Sequence, residues 1–341
     1  MARRARAGEV KREGGVKPMR SWQTAAMAMV LAAAGAKAAA EAPLRLAAIP
    51  KSTGGEFWET VQKGAQQAAA DLNVALRWEG TVTETEIAEQ NKIIESMINL
   101  GVQGIALAPL NRVAQRKAVE QAVRAGIPVV VFDSALDGSA YASYVATDNR
   151  QAGRLGGEHL LELLGRRPAR VMCMRFVQGT GSTEARAEGF IETVKAAGCE
   201  LAADPYPDTG TIEGCKTAAA NTFERFVKDG QLQLDGVFAC NLYSALGVAS
   251  ALEDLEKSGV KVAVKFVGFD TSKRLLEDLQ AGRIDALVAQ DPRRMGYLAV
   301  ETLAKVVRGE KPPAVIDTGA VLVTREGLKN DPKVRKLVGL E

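Results

Sequence analysis

The sequence predicts an α/β fold of repeated strand–helix units, arranged as two parallel sheets with helices on both faces. Three observations carry this reading. Short apolar runs alternate with amphipathic stretches from residue 44 to about 309. Many of the amphipathic stretches stop at a glycine, at positions 101, 126, 165, 198, 259, 282 and 309, as helices with a left-handed terminal residue do. The short runs are apolar throughout rather than alternating, the pattern of strands covered on both faces. A chain of 341 residues exceeds one average domain, and two sheets of about five or six strands are expected rather than one sheet of some ten.

The elements follow in order. Leu44–Ile49 is the first strand, followed by Lys51 and by Phe57 and Trp58, which open a helix over Glu56–Asp71. Helices are expected over Glu84–Leu100 and Val113–Ala125, and Gly126-Ile127-Pro128 then stops the chain before the strand Val129–Phe132 and Asp133. The break between lobes is expected near Tyr144–Asp148. No low-complexity linker marks it, so a short hinge is expected rather than a flexible tether. Beyond it come helix Asn149–Leu164, strand Val171–Met174 and a loop leading to Ser182 and Arg186 in helix Thr183–Ala197. Helix Thr211–Lys228 precedes strand Val237–Cys240 and Asn241, and helix Tyr243–Ser258 precedes strand Lys265–Phe269 and Asp270. Helix Ser272–Ala281, strand Ala286–Ala289 with Gln290, and helix Arg293–Val307 complete the repeats. After Pro312 and Pro313, Ala314–Val323 includes a strand that crosses once more between the lobes.

Residues 1–40 stand outside this pattern. A basic stretch opens at Met19, an apolar segment runs from Thr24 to Ala36, and Ala38-Ala39-Ala40 fits the small-residue cleavage rule. The apolar run falls short of the roughly 20 residues a spanning helix needs, so it is expected to be a cleavable signal peptide and the mature protein periplasmic. Met19 is a possible true start. The leader holds eight of the 44 Lys/Arg and two of the 41 Asp/Glu, leaving 36 against 39, a balance of −3. No basic stripe remains to suggest a nucleic-acid partner.

Four cysteines, Cys173, Cys199, Cys215 and Cys240, form no C-x-x-C pair, and with a single histidine, His159, no metal site is expected. Export permits disulfides. Cys199 and Cys215 fall at opposite ends of a strand, whereas Cys215 and Cys240 fall at the same sheet edge. A Cys215–Cys240 bridge is therefore the more feasible pairing, with four free thiols the other outcome. Gly179-Thr180-Gly181-Ser182 lacks the Gly-Lys-Ser/Thr of a phosphate loop and reads as a strand–helix turn.

In an open parallel sheet, ligands bind just beyond the carboxyl ends of the strands. Here that edge carries carboxylates, amides, one arginine and two adjacent aromatics. Phe57 and Trp58 offer flat faces to the C–H face of a sugar ring. Asp133 and Asp270 each accept from two neighbouring hydroxyls, or cap helices. Arg186 donates a fork, and Asn241 and Gln290 supply a donor and an acceptor each, the complement of a hydroxyl. Ser134 and Ser182 are lesser candidates, and the Lys51 ammonium enters the same site. The set suits holding a polyhydroxylated small molecule. It shows no catalytic triad, metal cluster or dinucleotide fingerprint, so no enzyme and no cofactor is expected.

From about 44 to 325 the chain resembles the type I periplasmic binding proteins, the ribose/galactose-like sugar-binding components of ABC importers. The resemblance rests on Ile49-Pro50-Lys51 with Glu56-Phe57-Trp58; Gly101-Val102-Gln103-Gly104-Ile105 with Ala108-Pro109; Gly126-Ile127-Pro128 with Asp133; and Thr147-Asp148-Asn149. It continues through Ser182, Arg186 and Gly189-Phe190; Asn241 with Ala245-Leu246-Gly247; Val267-Gly268-Phe269-Asp270; and Gln290-Asp291-Pro292 with Met295-Gly296. Each piece is weak alone, and their joint order is specific. The resemblance implies two Rossmann-like lobes joined by a three-crossing hinge, with the ligand clamped between them. By position the lobes are 44–147 with 291–320, and 148–290 with 321–341. It further implies a monomer that captures a monosaccharide or related molecule and delivers it to an ABC transporter permease. The alternative is a sugar sensor docking on a chemotaxis or histidine-kinase receptor. Ribose-type members usually carry Arg where this chain has Ser134, Asn where it has Ala108, and an aromatic near Thr209, so ribose itself is not implied.

Overall fold

The structure, a computed structural model, describes residues 42–165 and 168–340. The expected signal peptide lies outside the described residues.

Two six-stranded sheets organise the chain, and their topologies repeat. The first contains β1 (Leu44–Ile49), β2 (Val74–Trp78), β3 (Gly104–Leu107), β4 (Val129–Phe132), β5 (Ser143–Ala146) and β13 (Val315–Asp317), in the order β2-β1-β3-β4-β5-β13, parallel throughout. The second contains β6 (Arg170–Met174), β7 (Glu200–Ala203), β10 (Gly236–Ala239), β11 (Lys265–Phe269), β12 (Ala286–Gln290) and β14 (Ala320–Thr324), in the order β7-β6-β10-β11-β12-β14. Only β14 runs antiparallel to its neighbour, β12. β3, β4 and β10 are buried at every position, as strands covered on both faces must be.

Helices cover both faces of each sheet. Helix α1 (Glu56–Asp71) and α9 (Pro292–Val307) pack on one face of the first sheet, burying Val61, Met295, Ala299 and Leu303; α2 (Ile87–Asn99) and α3 (Arg116–Arg124) bury Ile93, Ile94, Met97 and Val119 on the other. On the second sheet, α4 (Asn149–Leu164) pairs with α5 (Gly181–Ala196), while α6 (Ile212–Glu224) and α7 (Leu242–Lys257) pair opposite, with α8 (Lys273–Ala281) alongside α7. The chain passes between the sheets after β5, after β12 and between β13 and β14. The three passages are tied together: Thr147 Oγ1 donates to Gln290 Oε1 (2.9 Å) and lies 3.3 Å from Thr318 Oγ1.

Where the expected boundaries shift, local chemistry explains it. The helix expected to reach Lys228 ends at Glu224. Asp229 and Gly230 then take φ of 50° and 69°, making a two-residue turn between β8 (Val227–Lys228) and β9 (Gln231–Leu232). The helix expected from Glu84 begins at Ile87, because Glu86 Oε2 accepts from Val82 N and Thr83 N (both 2.8 Å) and holds the preceding residues in a loop. Helices α10 (Arg325–Asn330) and α11 (Pro332–Leu337) were not expected; Thr324 and Asp331 cap them by accepting from Gly327 N and from Lys333 N. All four thiols are free and buried, so the structure holds no Cys215–Cys240 bridge.

Candidate functional site

The carboxyl edges of the two sheets face one another, and the loops beyond them meet. The topology places a switch in strand order between β1 and β3, and again between β6 and β10. The loop after β1 carries Lys51 to this point, the start of α1 carries Phe57 and Trp58, and the first turns of α5 carry Ser182 and Arg186.

Two aspartates occupy matching positions. Asp133 follows β4 with φ 61°, and Asp270 follows β11 with φ 67°. Both backbone N–H groups are still held by the neighbouring strand, Asp133 N by Val145 O (3.0 Å) and Asp270 N by Val288 O (2.8 Å). The left-handed residue turns the chain sharply while the ladder stays intact, and it aims each carboxylate into the space between the lobes. A non-glycine residue held in this region costs about 1 kcal/mol or more, the kind of strain found at functional sites.

Bonds across the cleft hold the lobes together. Lys51 Nζ donates to Ser182 Oγ (3.0 Å), Ser182 N donates to Ser134 Oγ (2.9 Å), Arg112 N to Gly179 O (2.9 Å), Thr180 Oγ1 to Leu110 O (3.1 Å) and Lys273 N to Glu56 Oε2 (3.1 Å). Between them lies a narrow cavity lined by Lys51, Phe57, Trp58, Asp133, Ser182, Arg186, Asn241, Asp270 and Gln290, with Glu84, Thr183, Leu242 and Tyr243. Every sequence candidate except Ser134 reaches this wall. Ser134 is fully buried and spends its hydroxyl on Ser182, across the cleft.

Each wall residue is held by its neighbours. Lys51 Nζ forms a buried ion pair with Asp133 Oδ2 at 2.7 Å. Arg186 Nε donates to Asn149 Oδ1 (2.8 Å), its Nη1 donates to Cys240 O (3.1 Å), and its guanidinium sits 3.9 Å over the Phe269 ring. Asp270 accepts from Leu242 N (3.0 Å) and Gln290 Nε2 (2.7 Å) and lies 3.9 Å from Arg186. Its carboxylate thus holds the first N–H of α7, while Ser272 is the N-cap of α8. Asn241 does cap α7, its Oδ1 accepting from Ser244 N (2.9 Å), which leaves its amide nitrogen for the cavity. Phe57 and Trp58 meet edge to face at 5.1 Å, and Trp58 is buried to 3% exposure.

The sequence patterns missed Glu84, Thr183, Leu242 and Tyr243. Glu84 is the consequential one. It lies in the loop before α2, with Trp58 Nε1 donating to its Oε1 (2.9 Å). The wall therefore carries three carboxylates, Glu84, Asp133 and Asp270, against two cations, Lys51 and Arg186.

Burial raises the carboxyl groups of Glu84 and Asp270 above their ordinary values of 4.5 and 3.8; Lys51 opposes the shift at Glu84 and Arg186 opposes it at Asp270. A raised carboxyl binds its proton more tightly in the folded state. Its contribution to stability is then fully present at low pH and declines as pH rises from the ordinary value through the raised one. Glu84→Gln removes the Glu84 share of that decline. The melting temperature of Glu84→Gln relative to the parent is expected to climb from pH 4.5 upward, and thermal melts of both proteins from pH 4 to 8 check it. A gap that stays constant across the range removes Glu84 from the titration.

Comparison with known proteins places these features among relatives. The model of the family described as periplasmic binding protein domain matches residues 46–311. The D-allose-binding periplasmic protein of Escherichia coli (strain K12) is 27% identical over 293 residues, covering 82% of this chain and 91% of that protein. Among solved structures, a carbohydrate transporter solute-binding protein from Agrobacterium radiobacter in complex with D-arabinose is 33% identical. It superposes with a TM-score of 0.81 and covers 87% of this chain and 99% of that one. An ABC transporter solute-binding protein from Agrobacterium vitis with bound D-fucose is 31% identical, with a TM-score of 0.80 and coverage of 86% and 99%.

Proposed function

The chain belongs to the periplasmic binding protein domain family, and from that premise we propose that it is the sugar-binding component of an ABC importer, capturing a neutral monosaccharide between its lobes and delivering it to the permease. The observation that carries this is the cavity wall, where an aromatic pair, two amides, two cations and three carboxylates converge from both lobes. Carboxylates and amides accept from and donate to sugar hydroxyls, and the aromatic pair covers an apolar ring face. Groups from both lobes touch one ligand, so binding favours the closed arrangement.

The three acidic groups on the wall favour a neutral sugar over a sugar acid. An added anion would stand among three acidic groups in a site shielded from water, where each of them that is ionised repels it strongly. The Lys51–Ser182 contact does not read as a catalytic dyad. Lys51 donates to Ser182 while ion-paired with Asp133, so it is not placed to take the hydroxyl proton. Binding is therefore the reading, not turnover. Among the described residues no helix is long and apolar enough to cross a membrane, in keeping with a periplasmic protein that carries its ligand to a membrane partner.

The test is a thermal-shift and calorimetric screen of the mature protein against D-ribose, D-allose, D-arabinose, D-fucose and D-galacturonate. At a hundredfold excess over Kd, one neutral aldose is expected to stabilise the fold by about 2.7 kcal/mol, with no shift from the uronate. Stabilisation by the uronate alone would sink the neutral-sugar reading, and no shift from any sugar would sink the function.

A further inference from the structure

We propose that Glu84 is a specificity-determining ligand contact, its carboxylate accepting a hydrogen bond from a sugar hydroxyl as the third acidic acceptor beside Asp133 and Asp270. The proposal rests on the sugar-binding reading above and adds to it a residue from the β2–α2 loop.

Three observations converge on it. The first is placement. Glu84 lies on the cavity wall and is 8% exposed, yet no Lys or Arg makes an ion pair with it among the described residues. The other two wall carboxylates each face a cation, Asp133 at 2.7 Å from Lys51 and Asp270 at 3.9 Å from Arg186. The second is incomplete use. An ionised carboxylate offers about four acceptor sites. The protein bond given to Glu84 is the single one from Trp58 Nε1, at 2.9 Å. Anchoring an indole needs only a neutral amide oxygen. A buried carboxylate costs far more than an amide unless further donors meet it, and a sugar hydroxyl in the same cavity is such a donor.

The third is rigidity. The loop is stapled to the turn that carries Lys51. Thr81 Oγ1 donates to Lys51 O (2.6 Å), Thr53 N donates to Thr81 O (3.0 Å), and Glu86 Oε2 gathers Val82 N and Thr83 N. At Gly80 the backbone runs so close to Pro50 that an added Cβ would fall 2.7 Å from Pro50 Cγ. The Glu84 carboxylate therefore keeps a fixed place relative to Lys51, Trp58 and Asp133. A preorganised acceptor of this kind discriminates between sugars by the hydroxyl it meets, because a sugar lacking a hydroxyl there leaves a buried acceptor unpaired.

Glu84→Gln separates reading the ligand from anchoring Trp58. The amide oxygen still accepts the indole N–H, while the cavity-facing oxygen becomes an N–H donor. Calorimetry on the full mature chain would use D-ribose, D-allose, D-arabinose and D-fucose as probes. Glu84→Gln is expected to weaken the tightest of these by tenfold or more and to narrow the spread of affinities among the four, with an unliganded melting temperature at least that of the parent. Should Glu84→Gln fail to fold, Glu84→Asp withdraws the carboxylate by one methylene and is expected to lose affinity by the same order. Affinities within twofold of the parent for every sugar, in whichever variant folds, overturn the proposal and leave the sugar-binding reading intact. A parent protein that binds none of the four overturns both.

Discussion

Asp270→Ala is expected to weaken sugar binding by roughly 30- to 1,000-fold, about 2–4 kcal/mol. The carboxylate does three things at once. It accepts from Leu242 N, fixing the first residue of α7, and from Gln290 Nε2, the residue that also receives the Thr147 hydroxyl at the hinge. It also faces Arg186, which the structure buries to 2% exposure. Removing it leaves the N–H of Leu242 and the amide of Gln290 without this acceptor. It also leaves the guanidinium of Arg186 without its facing charge, and breaking a buried pair from one side costs about 3–5 kcal/mol. Alanine is also poorly suited to φ 67°, which aspartate tolerates better. Asp270→Asn retains the shape and the local conformation, so its loss is expected to be smaller. Calorimetry with the tightest panel sugar, beside denaturant unfolding of the unliganded protein, separates the two effects. Parental affinity in Asp270→Ala would remove this residue from the site.

The parts of this molecule that could be read from the sequence are those encoded by local pattern. Apolar runs such as Val129–Phe132 become strands buried on both faces, and the residue that follows a strand in a parallel sheet falls at the ligand edge. Asp133, Asn241, Asp270 and Gln290 were therefore legible one by one. Glu84 was not, because helical periodicity runs unbroken from Glu84 to Leu100 and hides where the helix begins. The boundary is fixed by Glu86 capturing Val82 N and Thr83 N, and the period of side chains does not register that bond. Ser134 lies off the cavity wall for the opposite reason. It follows a cleft aspartate as a site residue would, yet its hydroxyl is drawn to Ser182 of the facing lobe. Pairings across the cleft depend on how two lobes meet, and no run of neighbouring residues encodes that. The hairpin at Val227–Leu232 was legible in principle, since Asp229-Gly230 is a strong turn signal, but a long helical pattern masked it.

The second large effect lies away from the cavity, in the helix pairs that hold each lobe. α4 and α5 approach so closely that a Cβ on Gly153 would fall onto the backbone oxygen of Arg186, and one on Gly189 onto that of Arg150. The first lobe repeats the device: Gly64 abuts Arg293 O, and Gly296 abuts Val61 O. The obstacle in each case is backbone, which cannot step aside as a flexible side chain does, so the whole helix must shift. Overpacking of this kind costs about 1–3 kcal/mol and occasionally more, and both Gly153→Ala and Gly64→Ala are expected to lower the denaturant midpoint accordingly. Both pairs also carry residues of the cavity wall, so binding is expected to suffer as well. Displacing α5 carries Arg186 with it, straining its bonds to Asn149 and Cys240 and its seat over Phe269. A site held to about half an ångström then loses its fork, so Gly153→Ala is expected to weaken sugar binding about tenfold or more. Gly64→Ala forces α1 away from Arg293 and carries Phe57 and Trp58 of the cavity wall with it, so it is expected to weaken binding to a comparable degree. Parental affinity in both variants beside lowered midpoints would show that the helix pairs do not position the wall residues, and parental midpoints in both would overturn the close packing as a source of stability.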